Sequence, residues 1–248
     1  MGLSSITKIP GVMRAQGWRV GPVLMDKWFG RPSAVAPSYS SPDTTTVTMN
    51  WVLGFPRARQ VYDNLIRERI WQNDAGKRRV REVLGKKNLL GSGASSFDGT
   101  RRPVPQLEDE YVNYRPVSAS LTSDPLDDLF AGLANFNLRV VIAGQVEPVS
   151  GQPGKFRVTV ARVGVYVQDS YDFNDDPAGL NPKTWVSQPL GVWDETTNKV
   201  SKAPFSGGVY VTNETFRTWR TANHNGGDFL VFSDVLFTDL RPADSFVI

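Results

Sequence analysis

The chain has 248 residues, about 40% apolar and 11% aromatic, with no cysteine and a formal net charge of +3. That length buries a full core, while the missing cysteines exclude disulfides, thiol catalysis and thiolate metal sites. The charge is uneven: residues 57–102 hold 12 Lys or Arg against 5 Asp or Glu, so this segment is +7 and the remainder −4. Such asymmetry points to an acidic partner surface for one face. No stretch approaches the roughly 18 apolar residues of a membrane span, and MGLSSITKIPGVMRAQGW lacks a signal-peptide apolar core. Synthesis and folding in the cytoplasm are expected, with any export through a signal-peptide-independent secretion system.

Residues 1–44 read as an N-terminal arm rich in Pro and Ser, following which a single domain runs from 45 to 248. Within the arm, GPVLMDKWFG at 21–30 predicts a short helix with Pro22 in its first turn. Leu24, Trp28 and either Met25 or Phe29 share one face at i, i+4 spacing. An apolar stripe of this kind either packs on its own domain or anchors in a partner groove. The second reading makes Trp18, Leu24, Trp28 and Phe29 candidate partner-binding residues.

TTVTMNWVL at 45–53 alternates, with Val47, Met49, Trp51 and Leu53 on one side, and predicts a strand. From Pro56 to about Leu84 the period becomes helical, with Val61, Tyr62, Leu65, Ile66 and Ile70 in one stripe and Gly76 as the expected interruption. The opposite face of this basic helical segment, 57–87, carries Arg59, Arg67, Lys77, Arg78, Arg81, Lys86 and Lys87. It is either a solvated face or a contact for an acidic protein, with Arg78 and Arg81 as candidates. Residues 88–123 fit neither period and read as an irregular excursion. GKKNLLGSGASS does not place its lysines after the glycines, as a phosphate loop requires, so no nucleotide site is expected. Ser123-Asp124-Pro125 signals a helix over about 124–134, with Leu126, Leu129, Phe130 and Leu133 on one face. Asp127 and Asp128 then lie near the positive end of its dipole.

The β-rich core, 135–248, centres on a hairpin. In NLRVVIAGQVEP, Leu138, Val140, Ile142 and Val146 fall on even positions, and VSGQPGK supplies a turn. In the returning arm Phe156, Val158 and Val160 are even but Val163, Val165 and Val167 are odd. A parity flip without a break implies a β-bulge at Ala161–Arg162. The exit, DSYDFNDDP, offers Asp169, Asp172, Asp175 and Asp176 as oxygen donors, so a Ca²⁺ loop with Asp172, Asp175 and Asp176 is conceivable. It lacks the EF-hand placement of glycine and glutamate, and Asx turns account for the same residues. Tyr171, Phe173, Leu190 and Trp193 would close that end of the sheet with aromatic mass.

From Gly207 onward a strand, a helix over about 214–222 capped by Asn213, and a final strand over 229–237 are predicted. Asp234 interrupts that strand, and as a buried carboxylate it needs a partner, for which Arg217 or Arg220 is the candidate. His224, the only histidine, stands near Asp228, Ser233 and Asp234 in sequence. His224, Asp228 and Asp234 are therefore the catalytic candidates of a hydrolase-like reading. There is no GxSxG elbow, however, and NHNGG is a turn context. No cofactor is expected.

GPVLMDKWFG, LRVVIAGQVE, YDFNDD followed by PLGVWD, and VTNETFRTWR leading to GGDFLVFSDV occur in this order over most of the chain. The combination resembles an uncharacterised bacterial domain-of-unknown-function family whose genes stand beside type VI secretion components such as spike proteins and lipase effectors. The resemblance implies a secretion context and carries no catalytic residues. The fold class expected is α+β, a mainly antiparallel β core, sandwich or partly closed barrel, with a few flanking helices. The function expected is that of a non-enzymatic adaptor or accessory that binds an effector or spike protein, with nucleic acid not the partner. The competing expectation is a secreted antibacterial toxin acting on an envelope or nucleic-acid target.

Overall fold

The computed structural model describes residues 2–100, 102–119, 123–175 and 187–248. In chain order the elements are α1 (Ile9–Ala15), α2 (Gly21–Gly30), β1 (Ala34–Asp43), α3 (Met49–Val52), α4 (Pro56–Arg67), α5 (Asp74–Lys86), β2 (Ser95–Asp98), β3 (Asn113–Val117), α6 (Asp128–Gly132) and β4 (Phe136–Pro148). There follow β5 (Phe156–Tyr171), β6 (Pro189–Asp194), β7 (Lys199–Ser201), β8 (Val209–Thr212), α7 (Asn213–Asn223), β9 (Gly227–Phe232) and β10 (Leu236–Val247). The class is mixed α+β, and antiparallel pairings dominate. Among the described residues no helix is long and apolar enough to cross a membrane.

The chain forms two compact units, each drawn from three segments. One comprises Val47–Val117, Asn137–Gln168 and Phe232–Ile248. Its centre is the β4–β5 hairpin, in which Leu138, Val140, Val146, Val158, Val160, Val163, Val165 and Val167 are fully buried. Pairing runs in register to Ala143 opposite Arg162 and resumes with Gly144 opposite Val160, which leaves Ala161 bulged where the parity flips. β2 and β3 extend the sheet beyond β4, β10 extends it beyond β5, and the sheet stays open rather than closing into a barrel.

Three local expectations fail in this unit. The alternating stretch at 45–53 folds into α3 instead of a strand, because Thr48 caps it by accepting from Trp51 N and Asp234 Oδ1 accepts from Met49 N at 2.6 Å. With both N–H groups satisfied by side chains, one local and one distant in sequence, the short helix outcompetes the strand that alternation suggested. The break in the basic helical segment falls at Glu68–Asn73, not at Gly76: Arg69 is left-handed at φ 49° and Asn73 caps α5 through Gly76 N. Gly76 lies inside the first turn of α5, where a Cβ would come 2.5 Å from the Ile70 carbonyl oxygen. The 88–123 excursion supplies β2, a 3-10 stretch at Val104–Asp109 and β3, whose pattern is too short to announce itself. Asp244 on β10 ties down the helix break, accepting from Arg69, from Trp71 Nε1 at 3.2 Å and from Gln72 Nε2 at 3.0 Å.

The other unit comprises Met1–Thr46, Ser118–Phe136 and Asp169–Val231. Residues 1–46 cluster in this unit with two later segments. α2 forms over the residues expected, with Pro22 in its first turn. The helix expected at 124–134 is only α6, capped by Asp127, which accepts from Phe130 N at 2.9 Å. Asp128 is buried and serves α2: its carboxylate accepts from Arg19 N (2.9 Å), Val20 N (3.0 Å) and Gly21 N (2.7 Å), the otherwise unsatisfied donors at the start of that helix. β1 runs parallel to β9 with irregular register, despite Pro37 and Pro42. β6 is the middle strand of a small antiparallel sheet ordered β7-β6-β8. α7 is capped by Thr212 in a capping box with Thr215, while Asn213, the expected cap, is the first helical residue.

Candidate functional site

Every group in this site belongs to the unit containing α2, α6, α7 and β9. α2 delivers Trp28 and Phe29, α7 delivers Phe216, Trp219 and Arg220, and the segment after β5 delivers Phe173 and Asn174. Trp28 is fully buried. Its ring lies edge-on to Phe173 at 4.9 Å and to Phe216 at 5.6 Å, and Phe173 stacks on Phe216 at 3.7 Å with 7° between planes. Such pairs each add about 0.5–1.5 kcal/mol beyond burial.

Asp228 of β9 faces this cluster, its side chain wholly inaccessible. Trp28 Nε1 donates to Oδ1 at 2.9 Å, Asn174 Nδ2 to Oδ2 at 3.0 Å, and Arg220 completes a buried ion pair. Burial pushes the Asp228 carboxyl above its ordinary value even against these three donors. Arg220 lies 5.1 Å over the Trp28 ring as well, so the cation is shared between carboxylate and indole.

The three catalytic candidates stand in different settings. His224 is the exposed, left-handed C-cap of α7 at φ 55°, its N–H bonded to Arg220 O. Asp228 is engaged as described. Asp234 belongs to the other unit, is exposed, and caps α3 instead of pairing with Arg217 or Arg220. Ser233, fully buried, accepts from Val167 N at 2.8 Å and donates to Asp234 O at 2.7 Å.

Of the metal candidates, Asp172 accepts from Ser170 Oγ (2.7 Å) and from Asn174 N (3.0 Å), an Asx turn. Asp175 pairs with Arg217 at 2.7 Å and accepts from Asn213 Nδ2 and Gln188 N. Burial alone would raise the Asp175 carboxyl, but these donors outweigh it and hold it below the ordinary value. Asp176 lies outside the described residues. Among the described residues no three potential ligands group around one point.

The candidate partner-binding residues divide by exposure. Leu24 and Trp28 are fully buried in their own unit, so the α2 stripe is core. Phe29 is half-buried and meets Trp219, also half-buried, edge-on at 4.8 Å. Trp18 is half-buried against Trp193 at 6.1 Å. In the other unit Arg78 is exposed, and Arg81, also exposed, donates to Gly154 O at 2.6 Å.

A cavity of about 280 Å³ opens beside the aromatic cluster. Met13, Met25, Leu133, Leu190, Trp193 and Phe216 supply apolar wall, and Asp169, Tyr171 and Asp172 a polar one. Burial pushes the Asp169 carboxyl well above its ordinary value, the neighbouring Asp172 charge adding to this and the Ser170 N–H opposing it. The sequence marked Tyr171, Phe173, Leu190 and Trp193 only as closing mass, and nothing local signals that they line a void. A carboxylate and a tyrosine at i, i+2 on a strand, beside a second acidic residue, was the available sign.

The scaffold is α+β, with an aromatic, acid-rich corner in the unit that holds α2 and α7. Residues 5–206 and 195–247 match a family of unknown function (DUF6402), and the chain belongs to that family. No curated protein and no solved structure matches it.

Proposed function

We propose that the protein is a non-enzymatic adaptor, an accessory of a bacterial type VI-like secretion system that holds an effector or spike protein. The observation that carries this reading is the occupation of the chemistry-bearing side chains. Asp228, Ser233 and Asp234 each complete a hydrogen-bond set that holds the fold, and His224 caps a helix at the surface. A general base or nucleophile must be free to meet substrate, and Asp228 and Ser233 are both buried and engaged. Half-buried aromatics with large contact area, Phe29, Trp219 and Trp18, remain at the surface, the composition that protein interfaces favour. The secretion context rests on the resemblance of the ordered motifs.

The test is capture of partners from native lysate by tagged wild type, by Phe29→Ala/Trp219→Ala and by Arg78→Glu/Arg81→Glu, with mass spectrometry of what binds. Recovery of a spike or effector that either double variant loses while staying folded supports the adaptor. Recovery of only a small cognate inhibitor, with growth arrest on expression of the wild type, moves the assignment to the toxin.

A further inference from the structure

The cavity adjoins Trp18 through Trp193, which lines it, and its chemistry is one-sided. Asp169 and Tyr171 stand at i, i+2 near the end of β5 and so face the same way, and Asp172 follows directly. All three line the cavity, and among the described residues no Lys, Arg or His does. The Tyr171 hydroxyl is buried without a hydrogen-bond partner among the described residues, and Asp169 and Asp26 both add negative potential to it. A buried hydroxyl left unsatisfied costs about 1–3 kcal/mol, which a native fold rarely carries without a use. The remaining lining is apolar and aromatic, and about 280 Å³ is just below the roughly 300–1,000 Å³ of small-molecule sites.

We propose that this cavity binds a small hydrophobic amine. Its ammonium group lies against Asp169, Asp172 and the Tyr171 hydroxyl, and its apolar body lies among Met13, Met25, Leu133 and Trp193. An anion finds no cationic side chain in the lining and meets acidic ones. A neutral apolar guest leaves the hydroxyl unsatisfied. An ammonium group has three donors for three oxygens, and it meets aromatic faces that attract cations. The small volume restricts the body to about one ring or a short alkyl chain.

The test uses the full chain and four probes of similar size: 2-phenylethylamine, hexylamine, neutral 2-phenylethanol and anionic 3-phenylpropanoate. Binding is read by calorimetry and by the fluorescence of the cavity tryptophan, Trp193. At least one amine is expected to bind saturably at millimolar concentration or below, about tenfold or more tighter than the alcohol or the carboxylate. Asp169→Asn is expected to weaken the amine about 10- to 100-fold, as the loss of a charged hydrogen bond implies, and Tyr171→Phe about 3- to 10-fold. The proposal is overturned if neither amine saturates, if the alcohol or carboxylate binds as tightly, or if a folded Asp169→Asn variant binds unchanged. The comparison of amine with alcohol needs no variant, so it decides the question even if Asp169→Asn does not fold. Partner capture is measured separately, so loss of either reading leaves the other standing.

Discussion

Trp28 and Gly226 form a pair whose coupling tests the central packing of the α2/α7 corner. Gly226 adopts φ +95°, and a Cβ built on it would lie 2.5 Å from Trp28 Cη2, 2.7 Å from Cζ3 and 2.9 Å from Cζ2. Gly226→Ala therefore carries two costs, about 1–2 kcal/mol for the left-handed backbone and about 1–3 kcal/mol for overpacking against the indole. Trp28→Ala carries about 3–5 kcal/mol for a buried large-to-small change. Losing the Nε1–H donor to Asp228 adds about 1 kcal/mol, since Asn174 and Arg220 still hold that carboxylate. In the double variant the overpacking vanishes and only the backbone cost of Gly226→Ala remains. The cycle is therefore expected to couple by about 1–3 kcal/mol, the double variant being more stable than the sum of the singles. Urea unfolding followed by circular dichroism measures all four corners, with Trp28→Phe replacing Trp28→Ala if the latter does not fold. Additivity within about 0.5 kcal/mol refutes the contact, and a Trp28→Ala cost under about 1 kcal/mol refutes the core placement of Trp28.

Asp128→Ala strips three backbone N–H groups at the head of α2 of their acceptor, and at about 1 kcal/mol or more each the loss is expected to reach about 3 kcal/mol in the same assay, with Asp128→Asn milder. Gly76→Ala ordinarily gains about 1 kcal/mol in a helix, but here the Cβ meets the Ile70 and Trp71 carbonyls at 2.5 and 2.6 Å. It is expected to destabilise by about 1–3 kcal/mol, and a raised Tm refutes the close approach. Asp169 supplies a pH signature. Its folded value is raised, so its contribution to stability is fully present below the unfolded value near 3.8 and is lost as pH rises through the folded one. Asp169→Asn is therefore expected to raise Tm more at about pH 8 than at about pH 4, and equal shifts at both contradict it. Asp43 runs the other way. Burial raises its carboxyl, but Lys27 and the Thr45 and Thr46 donors outweigh it and hold it low. Its contribution is present above the unfolded value and is lost as pH falls through the folded one, so the stability advantage of wild type over Asp43→Asn is expected to shrink on acidification.

The legible parts of this fold were those in which one face of one element decides. The even-odd pattern of the β4–β5 hairpin and its flip at Ala161 survived intact, because alternation and burial are the same fact on a half-covered strand. The alternation at 45–53 misled because four residues suffice for a capped helical turn, and the second cap, Asp234, comes from 185 residues away in sequence. β1 was invisible for the converse reason: a Pro- and Ser-rich run becomes a strand only where β9 is there to pair with it. Among the candidate site residues, the aromatic identity of α2 was readable, but which of Leu24, Trp28 and Phe29 faces inward was not.

The sequence by itself determined the helical and strand periods, the absence of thiol chemistry, the basic segment at 57–102 and the match to a family of unknown function. These are local or compositional properties, set by side chains within a few residues of one another. Only the tertiary structure decided that Asp228 is held by Trp28, Asn174 and Arg220, that Asp128 caps a distant helix, and that Asp169, Tyr171 and Asp172 face a void. A carboxylate carries the same letter whether it is solvated, capping, paired or facing a cavity. Its role is assigned by the desolvation and the donors that the rest of the fold brings to it.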